Sequence, residues 1–89
     1  MPYIKQSDRQ TLSEVILALQ TFNERRSLTA GELNYLLTRC VQTYLAGRSQ
    51  SYEAYNSAIG ALESAKLELY RRQIAAYEMD KIALNGDVY

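Results

Sequence analysis

Between Lys66 and Tyr77 the chain reads KLELYRRQIAAY, placing Lys66, Arg71 and Arg72 among the tyrosines Tyr70 and Tyr77. The planar fork of arginine suits bidentate contact with a phosphate. Tyrosine offers a flat apolar face and a polar tip, suited to stacking on a base or filling an interface. Lys66 and Tyr70 stand four residues apart, so a helix would set a cation beside a ring. Arg39, on an earlier helical stretch, is a further cation able to join them. Arg39, Lys66, Tyr70, Arg71, Arg72 and Tyr77 therefore form the candidate binding set for an anionic ligand. Consecutive helix residues diverge by about 100°, so Arg71 and Arg72 are not expected to face one point. One is assigned to the ligand and the other to a carboxylate such as Glu68. The competing reading is a solvated face or a salt-bridged seam between copies, because Glu63, Glu68 and Glu78 lie close by in sequence. Glu63 and Lys66, three apart, read as a helical ion pair.

The rest of the chain offers little to a catalyst. It has no histidine and one cysteine, Cys40, so zinc ligation of the usual His/Cys kind and Ser–His–Asp or Cys–His nucleophilic sets have no material. No phosphate-cradling glycine loop occurs. Glu63 and Glu68, five apart, would point about 140° away from each other on a helix and make a poor acid/base pair. The expectation is a non-enzyme with no catalytic residue, no metal and no cofactor. Cys40 sits on an apolar stripe and reads as a small buried hydrophobe, and a single cysteine fits a reducing cytosol. Ten Lys and Arg balance ten Asp and Glu, which argues against long nucleic acid or an anionic membrane as partner. Eight tyrosines with no tryptophan and one phenylalanine make a skewed aromatic set. For Tyr44, Tyr55 and Tyr70 the plainer assignment is the rim of a core. Neither a transmembrane segment nor a secretory leader is expected.

Three helical stretches would have to position these residues. After an extended start at Pro2, Ser7 with Gln10 forms a capping-box pattern. Behind it Leu12, Val15, Ile16, Leu19 and Phe22 keep helical spacing, up to Arg25 and Arg26, whose cations suit a helix C-terminus. Thr29 with Glu32 forms a second box. It opens a helix with the apolar stripe Leu33, Leu36, Leu37, Cys40, Val41, Tyr44 and Leu45, which stops at Gly47 as a C′ glycine. The third stretch begins near Ser51 and meets no strong breaker until Asn85–Asp87.

Thirty-odd residues at 1.5 Å each make a rod of about 50 Å, against a radius of gyration of about 12 Å for a compact chain of this size. Either the rod breaks near Ile74–Ala76 or another copy covers part of it. A chain of 89 residues buries only roughly 60–65% of its unfolded surface, so oligomerisation is an expected source of stability. Ala54, Ser57, Ala58, Gly60, Ala61, Ser64 and Ala65 gather small side chains along the third stretch, and a helix crossing closely at Gly60 would explain its glycine. At the end Gly86 is expected to turn left-handed out of the helix, with Tyr89 docking on protein. The fold class is all-α: a single domain of three antiparallel helices with a long C-terminal one, assembled as a homo-oligomer.

The segments MPYIKQ, GELNYLLTR, NSAIGALESAKLELYRR and NGDVY, in this order over nearly the whole chain, resemble a family of short proteins found in bacteriophages and bacterial genomes. That family often carries proline in place of Ala76, which implies a bend there. The resemblance implies a phage-related setting, in the cytoplasm of a bacterial host, and supplies no established activity. By a weaker analogy, small oligomeric phage proteins of this size sequester the cyclic nucleotide signals of bacterial immunity without cutting them. The chain is similar to them in size, in its lack of catalytic chemistry and in its arginine–tyrosine helix. Two functions follow as expectations: a sponge for a cyclic dinucleotide or cyclic ADP-ribose isomer, or a protein–protein interaction module, structural or inhibitory. The sponge needs cations converging on a tyrosine-lined hollow, and the module needs a broad apolar patch without them.

Overall fold

A computed structural model describes residues 4–89; the extended start expected at Pro2 lies outside the described residues. Among these every element is helical, separated by short connectors, with no strand. The elements are α1 (Gln6–Arg9), a 3-10 turn (Gln10–Leu12), α2 (Ser13–Arg25), α3 (Ala30–Leu45), α4 (Tyr52–Leu69), a π-helical turn (Tyr70–Ile74) and α5 (Ala75–Asn85). The chain divides into two compact units, one ending at Ala58 and the other running from Ile59 to Tyr89.

Local chemistry sets most of the boundaries. Thr29 and Glu32 make both halves of their capping box: the Glu32 N–H donates to Thr29 Oγ1 at 3.1 Å, and the Thr29 N–H donates to Glu32 Oε1 at 2.9 Å. Two orphan donors at the start of α3 are thereby satisfied. At its far end Gly47 takes φ 80°, the positive φ expected of a C′ glycine. Ser51 begins α4 by accepting the Ala54 N–H on Oγ at 3.1 Å. Gly86 ends α5 at φ 87°, ψ 152°. The positive φ is the expected one, but the extended ψ differs from a left-handed helical turn and lies close to a region kept almost wholly for glycine.

The start differs from its expectation. α1 opens at Gln6 after an extended Lys5 and has no side-chain cap, so Ser7 lies already inside the first turn and forms no box with Gln10. Thr11 Oγ1 then donates to the Asp8 carbonyl at 2.7 Å. Such back-bonding from a hydroxyl tends to bend helices, and the ladder tightens here into a 3-10 turn, closed by the Ser13 N–H donating to the Gln10 carbonyl.

The larger difference is burial. Among the described residues only Ala58 is buried, at 6% exposure. The apolar stripes of α2 and α3 do form, but on them only Leu36, Val41 and Leu45 are even half-buried. Leu33, Leu37, Tyr44 and Cys40 are exposed, as are Tyr55 and Tyr70, so Cys40 is not the buried hydrophobe its stripe suggested. An apolar helix stripe is covered only when a second layer packs on it, and a lone chain provides too little of one. Gly60 gives the same result: a Cβ built there meets nothing within 4 Å among the described residues, so the expected close crossing is not seen.

Candidate functional site

The cluster read from the sequence falls on a break in the helical ladder. At the end of α4 the hydrogen bonds widen, and the Ala75 N–H donates to the Tyr70 carbonyl five residues back. Single π turns of this kind recur at functional sites. Here the turn holds Tyr70, Arg71 and Arg72 and ends at Ile74, two residues before Ala76. Its extra residue has a visible effect. In an unbroken α-helix Tyr70 and Glu78 would stand about 80° apart around the axis. With a wider turn between them they align, and the Tyr70 hydroxyl donates to Glu78 Oε1 at 3.3 Å.

The cations here meet carboxylates. Lys66 Nζ donates to Glu63 Oε1 at 3.2 Å, the expected ion pair. Arg71 Nη2 and Arg72 Nε both reach Glu68 Oε1, at 2.6 and 2.9 Å. The expected division, one arginine for a ligand and one for Glu68, is therefore not what this chain holds. Consecutive residues do diverge by about 100°, but positions i+3 and i+4 flank residue i on its two sides, so both side chains converge on it. Residues 59–89 carry four cations and five anions, so this unit has no net positive field. Tyr77 is exposed, with Lys81 Nζ 5.5 Å from its ring centroid. Arg39 belongs to the other unit, on α3, where its carbonyl accepts the Thr43 hydroxyl at 2.8 Å.

Sequence reasoning missed a second feature. α2, Leu28 and α3 enclose an apolar groove of about 440 Å³ lined by Val15, Leu19, Phe22, Tyr35, Leu36 and Cys40. One charged side chain, Glu32, touches it and is neutralised at its edge. Arg26 grips Glu32 bidentately, Nη2 to Oε2 at 2.5 Å and Nη1 to Oε1 at 3.1 Å, while its guanidinium lies 5.0 Å from the Phe22 ring centroid. The signal was present in the two apolar stripes, but it read as core. With no cation converging on it, the groove suits apolar side chains and not a phosphate.

The Arg26 guanidinium, helped by the Thr29 N–H, holds the Glu32 carboxyl down to about 2. A group whose pKa is lower folded than unfolded stabilises the fold above its unfolded value and loses that contribution as pH falls through the folded one. Helix melting followed by circular dichroism should therefore weaken as pH drops from about 4.5 toward 2. Glu32→Gln should flatten this part of the profile. The pair faces solvent, so the effect should be modest and should shrink with added salt. A wild-type profile indistinguishable from that of E32Q would remove Glu32 from the acid response.

Among the described residues no helix is long and apolar enough to cross a membrane. The family model of a domain of unknown function (DUF6899) matches residues 1–88, the span over which the sequence motifs carry their resemblance. No curated protein and no solved structure matches the chain.

Proposed function

We propose that this chain, which belongs to the DUF6899 family, is a non-catalytic helical interaction module that works as a homo-oligomer in the cytoplasm of a phage-infected bacterium. The observation that carries the reading is the apolar surface of α2 and α3, neither of which has a buried residue in the single chain. Burying apolar area contributes roughly 25 cal/mol per Å², and two helices left this bare are stabilised most readily by another protein layer. Packing in antiparallel bundles suits helices joined by connectors this short. Light scattering at micromolar concentration should return a multiple of the 10.2 kDa chain mass. A single-chain mass would end this reading.

A second reading keeps the sponge: the assembled protein sequesters a cyclic dinucleotide or a cyclic ADP-ribose isomer and leaves it uncut. One observation favours it, the coincidence of the π turn with Tyr70, Arg71 and Arg72. The Glu68 carboxylate shared by those arginines weighs against it, because a ligand phosphate would have to displace it. Calorimetry with the two ligand classes tests it independently of assembly.

A further inference from the structure

We propose that the α2–α3 groove is the seat of a second copy of the same chain, and that its occupant is the partner's α3 ridge formed by Leu33 and Leu37. The proposal rests on the homo-oligomer reading and specifies its surface. Three observations lead to it.

The first is area. Along the groove the apolar side chains stay open, with Val15 64% exposed, Leu19 41% and Phe22 39%. Covering apolar area of this kind is the main favourable term in protein association.

The second is shape. A twofold dimer needs a patch that is complementary to itself, and the surface of α2 and α3 carries both halves of one. Val15, Leu19, Phe22 and Leu36 line the trough. Leu33 and Leu37 stand beside it, about 60–100° round α3 from Leu36, and are 48% and 46% exposed. Two copies related by a twofold axis would each insert this ridge into the other's trough, closing four helices around one apolar layer.

The third is charge. The single carboxylate at the groove, Glu32, is already held by Arg26, so closing the groove strands no lone charge there. The chain as a whole carries a formal net charge of zero, so two copies approach without net repulsion. A foreign partner would have to supply a matching apolar ridge. The chain has one of its own on the adjoining face.

Two measurements test this. Leu37 is exposed in the single chain, so Leu37→Glu has no packing reason to unfold it. The charge would enter the apolar layer of the dimer and should weaken association by about a hundredfold or more. Leu17 lies about 160° round α2 from Leu19, and Leu17→Glu should leave the dimer intact. In the wild type, Cys40 lines the groove and is the only cysteine. Its reaction with a maleimide should slow by about tenfold or more in the dimer relative to the diluted monomer, since labelling then follows the open population. Dimers of unchanged strength in L37E, with Cys40 reactive at every concentration, would overturn the groove as interface and leave a homo-oligomer built elsewhere. A monomeric wild type would remove the groove proposal and the oligomer reading together.

Discussion

Ala65→Pro should destabilise the third helical stretch by about 3 kcal/mol, and Ala76→Pro by less than about half of that. The two alanines differ in the ladder around them. Ala65 lies well inside α4. Proline there removes an N–H donor from a regular i→i−4 bond and drives its ring against the carbonyl of Ala61. Ala76 is the second residue of α5, directly behind a turn in which the Ala75 N–H already reaches back five residues to Tyr70. The regular ladder that a ring would break there is already dislocated. The resemblance to chains that carry proline in place of Ala76 agrees with this. Thermal melting of the two variants, followed by helical circular dichroism, makes the comparison directly. Equal losses would show that the π turn confers no tolerance at Ala76.

The contrast between these alanines also marks what could be read from residues alone. Features fixed by partners three or four positions away were legible. They include the Thr29–Glu32 box, the Glu63–Lys66 pair, the positive φ at Gly47 and Gly86, and the end of α2 at Arg25. Each is decided within one turn of chain, where side-chain type and spacing dictate geometry. The π turn was visible only as one of two alternatives, a break near Ile74–Ala76 or cover from another copy, because YRRQI contains neither glycine nor proline to mark where the ladder widens. Ser7 misled for a related reason: its box pattern is sound, but a cap at Ser7 would start the helix at Asp8, and it starts two residues earlier, at Gln6. Burial was the least legible. Helical periodicity says which face of α2 or α3 is apolar, and not whether the same chain supplies the layer that covers it. Cys40 shows the difference, lying on the predicted stripe and exposed all the same. The candidate site was legible as a set of residue types and as one arginine on Glu68, yet the pairing of the second arginine was not. Both arginines converge on Glu68 because it stands three and four residues before them, whereas consecutive residues taken alone diverge by about 100°.

That convergence supplies the sharpest test between the two functional readings. Under the sponge reading, Glu68 competes with the ligand for Arg71 and Arg72, since all three meet at Glu68 Oε1. Glu68→Gln removes the competing negative charge and keeps the side chain's length and an acceptor oxygen. A cyclic dinucleotide should then bind more tightly, by up to about tenfold. Arg71→Ala or Arg72→Ala should weaken it by roughly ten- to a hundredfold, the range of one charge-assisted phosphate contact. Opposite signs for E68Q and the arginine variants are the signature of a ligand phosphate in that position. Under the assembly reading alone Glu68 has no such rival, and all three variants should lack nucleotide binding, as should the wild type. Calorimetry with cyclic dinucleotides and cyclic ADP-ribose isomers measures both cases. Heat of binding in the wild type, tightened by E68Q and lost in R71A, would move the π turn from a structural break to a ligand site. Silence across the series removes the sponge and leaves the Glu68–Arg71–Arg72 cluster as ion pairs joining the end of α4 to the π turn.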